Sequence, residues 1–524
     1  MNQPAARTSG GKPRSIRWWI GIRLLLLGIA AIVYARGQND WAFQKRNLIT
    51  YEIIIVTGIA LLVWWTFLSR APKQLRLAVT FGLVGAAVIG AALFRLRGMT
   101  GDMLPIIEFR WTRSAAPSSP ASTPIRTETS GRQYERATNS FPQFLGPDRN
   151  GVLPGPSLET NWRAHPPELV WRKPVGAAWS GFAIAGNIGL TQEQRDGNEC
   201  VTALDLTTGE PLWSHSDHAR YSTTIAGEGP RATPTVVGNR VFAFGATGLL
   251  NCLDLVTGKL LWSHDVVAES RAKVMAWGCA SSPLVVDDLV VVHGGEGAGR
   301  SLFAYRIEDG KPVWVGGHSD ASYASPVLAT LAGSPQVLAF NDGTVSGHDP
   351  ATGTTLWERS WGNGNVVCAS PVMVSSNRVL FSSGYGVGAE LLEISQSSPG
   401  KFSAKQIWKS IRMKAKFANL VVHDGFLYGL DDGIFTCVDL RDGSQRWKEG
   451  RYGHGQGLLV GDLYLLMAES GELVLLRPTP EAPNELARHR VFDSKTWNPI
   501  ALSGDLLLVR NDREAACLRL KLKP

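Results

Sequence analysis

The chain has 524 residues, 44% of them hydrophobic, with 56 Gly and 18 Trp, which reads as an all-β repeat protein more than as an α/β enzyme. The net charge of +8 is confined to one end: residues 1–140 hold 18 Lys and Arg against 6 Asp and Glu, and the remainder holds 35 against 39. A basic groove tracking phosphates is therefore excluded from the large C-terminal part, and no nucleic-acid partner is expected.

In chain order, the first elements belong to a membrane. Residues 18–34, 48–68 and 75–94 are apolar runs of nearly the length that crosses a hydrocarbon core, interrupted only by Arg23, Glu52 and Arg76. Trp18, Trp19, Trp64 and Trp65 stand near segment ends, where indoles favour the interface. Arg7, Lys12, Arg14 and Arg17 in the tail, with Arg70, Lys73 and Arg76 in the second loop, outweigh Arg36, Lys45 and Arg46 in the first. The N-terminus is thus expected inside, and everything beyond the third span outside the cytoplasm, anchored in a bacterial inner membrane. Residues 1–100 read as this membrane region, and 101–140, rich in Ser, Pro and polar residues, as a linker.

From 141 the pattern becomes periodic. Asp205, Asp254, Asp349 and Asp439 each stand four residues before Gly209, Gly258, Gly353 and Gly443, and each Gly stands four before Trp213, Trp262, Trp357 and Trp447. Arg306, Gly310 and Trp314 keep the same ruler without the Asp. A Gly of positive φ and an Asp that binds nearby N–H groups make a fixed hairpin turn between two short strands. Upstream of the hairpins lie two more strands around a polar turn, as in "ATPTVVGNRVFAFG" (232–245) and "SSPLVVDDLVVVHG" (281–294). Four short strands per unit make a β-propeller blade. Trp171, Trp213, Trp262, Trp314, Trp357, Trp408 and Trp447 count seven blades, and Phe492 stands where an eighth would fall. The early "PELVWRKP" (167–174) has no partner, and the C-terminal unit lacks a fourth strand, so the two are expected to pair and close an eight-bladed ring.

The repeat Ala/Cys-x-Asp-x-x-Thr-Gly-x-x-x-Trp resembles the PQQ-type propeller repeat of quinoprotein dehydrogenases and of BamB-like assembly propellers. "FPQFLGPDRNGV" (141–152) is similar to the lead-in of membrane-anchored or exported bacterial members. The resemblance covers 141–524 and implies a propeller. It implies activity less clearly, because such propellers serve both enzymes and scaffolds.

A quinoprotein dehydrogenase would bring PQQ, a Ca²⁺ held by oxygen ligands, a catalytic Asp and a vicinal Cys–Cys disulfide that contacts the cofactor. Cys200, Cys252, Cys279, Cys368, Cys437 and Cys517 include no vicinal pair and read as core residues at repeat positions. No CxxCH, metal-ligand spacing or Ser elbow is visible, and the near-Walker "HGGEGAGRS" (293–301) precedes a strand and not a helix. No catalytic residue, metal or cofactor is expected. The first cysteine is Cys200, which departs from the lipoprotein attachment of BamB-like relatives. What remains is the central funnel, where Ser180, Arg231, Trp277, Tyr323, Lys416, His454, Lys495 and Trp497 precede inner strands. Their mix of aromatic and basic groups suits an acidic or aromatic ligand. The expected function is a membrane-anchored, non-enzymatic binding or scaffold module with protein partners. The alternatives are a PQQ-dependent dehydrogenase and a BamB-like assembly factor.

Overall fold

The computed structural model describes residues 15–38, 41–112, 140–297, 299–362 and 366–523. It divides into two units, 1–113 and 114–524. The first carries three helices, α1 (Trp18–Gly37), α2 (Phe43–Val63) and α3 (Lys73–Leu93), with a π-helical turn Trp64–Leu68 after α2. All three are long and apolar enough to cross a membrane. Gly21 and Gly28 let α1 approach α2: an added Cβ would meet Trp64 and Thr57, each at 2.6 Å. The unit ends in a hairpin, β1 (Phe94–Met99) and β2 (Pro105–Phe109), where the sequence was read as helix end and linker. Most of that linker, 113–139, lies outside the described residues.

The second unit is an eight-bladed β-propeller. Blades 1 to 7 span 183–217, 235–265, 284–316, 327–360, 372–410, 421–451 and 456–490, each a four-stranded antiparallel meander in chain order. Blade 8 joins three C-terminal strands (501–519) to β4 (Glu168–Pro174), and the register Cys517↔Trp171 matches Cys252↔Trp262 and Cys437↔Trp447 elsewhere. The ring therefore closes by pairing the two ends of the domain, as the unpartnered strands predicted. The buried apolar residues fall into clusters that lie between neighbouring blades, for example Phe242 and Phe244 of blade 2 with Val290, Val292 and Tyr305 of blade 3.

The repeated hairpin is the joint between blades. Asp254 accepts hydrogen bonds from the backbone N–H of Val256 (3.1 Å) and Thr257 (2.8 Å), which sets the turn. Gly258 follows at φ +68°, and a Cβ there would lie 2.4 Å from the indole of Trp213 in the preceding blade. That indole donates to Leu255 O at 2.9 Å. The same seat recurs for Trp171 on Gly209, Trp262 on Gly310, Trp314 on Gly353 and Trp408 on Gly443. Two joints depart. Blade 5 replaces the short turn by a long hairpin, Gly388–Ser398 and Lys401–Ser410, so Trp357 finds no seat there and donates to Gln336 of its own blade at 2.7 Å. In blade 7 the Trp register (Leu475↔Ala487) holds Ala487. Phe492, read as the eighth Trp equivalent, lies beyond the strand. The physical reason is the closure: blade 8 has a chain break where the turn would be, so no glycine waits for an indole.

Candidate functional site

Each inner strand runs from one end of the central channel to the other, with its free edge toward the axis. At the far end the lead-in occupies that edge. Phe141 bridges to Ile184 of blade 1, and Pro142 O accepts from Val236 N of blade 2 at 2.8 Å. Gly151 lies against Val421 of blade 6, and β3 (Val152–Leu153) pairs in parallel with Leu459–Val460 of blade 7. Arg149 reaches blade 3, donating to Pro283 O (2.8 Å) and Ser282 O (3.0 Å) and, within the lead-in, to Gln143 Oε1 (3.2 Å). Burial pulls its pKa down to about 9. The stretch that carried the sequence resemblance is thus a floor across the channel.

The other end is a mouth, built by the residues that precede the inner strands. Just below it, the blades are stitched by the residues one before each inner-strand proline or its equivalent. Gly181 N–H donates to Thr233 Oγ1, Thr233 N–H to Ser282 Oγ, Ser282 N–H to Ser325 Oγ and Ser370 N–H to Asn419 Oδ1, all at 2.9–3.2 Å. Asn498 Nδ2 spans the closure to Ala178 O and Ser180 O. The repeated "ASP" and "SSP" triplets encode this ring, so Ser180, fully buried, belongs to it and not to the rim.

Above it, aromatic and basic side chains pack on one another from blade 5 round to blade 4. Trp497 packs on Trp179 (4.9 Å between centroids) and on Phe417 (5.1 Å). Lys495 lies 3.8 Å over Trp497 and 4.7 Å over Trp179, and Lys416 lies 5.2 Å over Phe417 and 5.1 Å over Tyr385. Trp179 Nε1 and Arg231 both donate to Ala226 O, and Arg231 lies 4.4 Å over Tyr221. Tyr221 donates to Ala276 O at 2.6 Å, and Trp277 N–H donates to the Tyr323 hydroxyl at 3.3 Å. The structure therefore brings Arg231, Trp277, Tyr323, Lys416 and Trp497 into one ring, with His454 packed beneath on Phe417 at 5.4 Å.

Two carboxylates here escaped the sequence reading. Glu469, on the turn between the second and third strands of blade 7, accepts from Trp497 Nε1 (2.8 Å) and from His454 N–H (3.0 Å). Glu199 accepts from Ala246 N–H (3.1 Å) and Thr247 (3.3 Å), and burial lifts its pKa to about 7, against the opposing field of Arg231. Both lie in strand or turn positions that carry no motif. The described residues include no group of three His, Cys, Asp or Glu arranged to hold a metal, and all six cysteines are free. The mouth carboxylates are engaged by backbone, hydroxyl and indole donors.

The sequence profile described as outer membrane protein assembly factor BamB matches residues 197–449. No curated protein matches the chain in sequence. Among solved structures, the quinohemoprotein alcohol dehydrogenase of Comamonas testosteroni superposes with a TM-score of 0.56 at 11% identity, covering 75% of this chain and 82% of its own. The computationally designed protein Ika8 gives 0.50 at 15% identity, covering 67% and 99%. BamB of Moraxella catarrhalis gives 0.48 at 16%, with the same coverage as Ika8. The domain is an eight-bladed propeller of the PQQ-like repeat type, preceded by three candidate membrane-spanning helices. Similarities at these identities define the fold, and the fold serves both oxidoreductases and assembly factors.

Proposed function

We propose that this chain is a membrane-anchored binding module outside the cytoplasm, held in the inner membrane by α1–α3, whose propeller mouth receives an acidic or aromatic segment of a partner protein. One observation supports this most: the end of the propeller where the inner strands begin gathers aromatic rings with Arg231, Lys416 and Lys495 packed on them. Guanidinium and ammonium groups over rings are desolvated on one side and attract carboxylates, while the rings supply apolar contact. The proposed role is binding without turnover.

Purified full-length chain titrated with acidic, aromatic-containing peptides tests this. Lys416→Ala with Trp497→Ala is expected to weaken binding at least tenfold while the folded spectrum persists. Below pH 7 Glu199 takes up its proton and stops opposing the acidic ligand, so affinity rises as pH falls from 8 to 6. Equal binding by the double variant, or dye-linked alcohol or sugar oxidation above background after addition of PQQ and Ca²⁺, sinks the proposal. The profile match favours a second reading, an assembly role like that in the description of the matched family. Specific retrieval of outer-membrane assembly proteins by the wild type, lost in the double variant, would select it.

A further inference from the structure

The first unit ends in a feature that neither the spans nor the propeller explains. The hairpin β1–β2 follows α3 without a break: α3 ends at Leu93 and β1 begins at Phe94. Its cross-strand pairs Phe94↔Phe109 and Leu96↔Ile107 put four apolar side chains on one face, which Trp111 extends at 5.0 Å from Phe109. That face is bare, with Ile107 61% and Trp111 62% exposed. On the other face Arg95 makes a two-pronged bond to Glu108 at 3.0 and 2.7 Å. A ribbon of two strands is amphipathic here with its apolar side outward, the reverse of a water-soluble element.

We propose that this hairpin lies along the membrane surface, its apolar face seated in the lipid interface on the side where α3 emerges. The inference rests on the reading of α1–α3 as spanning helices. With 21 residues α3 crosses about 30 Å, the whole hydrocarbon core, so the next residue stands at its boundary. Consecutive spans alternate in direction, which puts the start of α2 on the same side as the end of α3. Both ends of the ribbon are tied to that level. At the root Arg110 N–H donates to Leu93 O, and its guanidinium to Ala91 O, both at 2.8 Å. At the tip Asn47, in the first turns of α2, donates to Asp102 O at 2.7 Å, and its side chain is buried there. A ribbon pinned at root and tip to two helix ends lies across them. Its unpaired outer edges exclude it from the hydrocarbon core, whereas the interface offers water and headgroups to those edges and favours Trp and Phe.

The test is site-directed spin labelling of the full chain in vesicles of phosphatidylethanolamine and phosphatidylglycerol. Nitroxides go on Ile107→Cys, on Val84→Cys within α3, and on Lys259→Cys, an exposed turn of the propeller, as the aqueous reference. The unsubstituted chain, whose native cysteines are buried or half-buried among the described residues, sets the background. The expected result is a ratio of oxygen to nickel-chelate collisions at Ile107 several-fold above that at Lys259 and below that at Val84. A ratio at Ile107 equal to that at Lys259, with Val84 in lipid, overturns the hairpin proposal and leaves the spans standing. An aqueous Val84 overturns the anchor and this inference with it.

Discussion

The pairing of one indole with one glycine in the next blade explains why the chain repeats its hairpin so faithfully. At Gly258 the requirement is double: φ is +68°, and a Cβ would sit 2.4 Å from Trp213. Trp213→Ala is expected to cost about 3–5 kcal/mol, the range for a buried aromatic deletion. Gly258→Ala is expected to cost about 2–3 kcal/mol, through the left-handed conformation and the displaced ring together. In the Trp213→Ala background the ring is gone, and Gly258→Ala should fall to about 1 kcal/mol. Gly238, at φ +57° with nothing within 4 Å of a Cβ, gives that same lower figure on its own. Denaturant midpoints of the four variants check this, and additive costs would contradict the seat. A second residue-scale prediction concerns His293, fully buried in blade 3 with Nδ1 bonded to Ser322 O at 3.2 Å. Burial first, with a smaller effect of His348, lowers its pKa from 6.5 to about 4. The unfolded chain therefore binds a proton between pH 6.5 and 4 that the folded chain refuses, and stability is lost as pH falls through that window. Relative to His293→Gln, the wild type should lose about 3 kcal/mol between pH 7 and 4, as read from urea midpoints at each pH.

At the scale of elements, much was legible because propeller blades are local. Three or four strands with fixed turns declare themselves in about 45 residues, and the unpaired "PELVWRKP" announced its partner by what both ends lacked. The errors came where the repeat yields to something non-local. Spacing alone makes Phe492 an eighth Trp equivalent; the register puts Ala487 there, and the cause is a chain break one blade away. The hairpin at 94–109 leaves no sign of its own in the sequence because its apolar residues run on from an apolar helix. The closure itself is more than a strand pairing. Arg510 of blade 8, buried, donates to Thr191 Oγ1, Gln192 O and Gly176 O, tying the last blade to the first. Glu193 beside it, bonded by Arg195 at 2.8 Å, supplies the opposing charge. A chain beginning at Val175 loses β4 and should open at this joint. Limited proteolysis is expected to cut it at least tenfold faster than one beginning at Phe141, and equal resistance would mean that the ring closes without β4.

For the whole molecule, the site was half legible. Arg231, Tyr323 and Trp497 each stand four residues before an inner strand, Lys416 five and Trp277 seven, so the repeat frame gathers them at one end although it does not give them one position. Glu199 and Glu469 come from strand and turn positions that no frame singles out. The floor was invisible for another reason. The stretch 141–153 has no helical or strand period, and its shape follows from the channel it fills. Arg149 is where that filling is fastened, a guanidinium with backbone and amide acceptors and, among the described residues, no carboxylate partner. Removing it has opposing effects. Each charged hydrogen bond contributes about 1.5–3 kcal/mol, while the loss of an uncompensated buried charge returns part of that sum. Because Pro283 O keeps a bond from Thr235 Oγ1 at 2.6 Å, Ser282 O is left the most exposed to the change. Arg149→Ala is therefore expected to cost about 2 kcal/mol overall, and its effect should not be uniform. Amide exchange should quicken several-fold in Gln456–Val460 of blade 7, which pairs with β3, and in Leu284–Val286 of blade 3, which follows directly on the carbonyls of Ser282 and Pro283 that hold the guanidinium. The outer strands of blades 4 and 5, for which no lead-in contact is described, should keep their rates. Exchange that rises equally in every blade would mean that Arg149 supports global stability only, and that the lead-in is no floor.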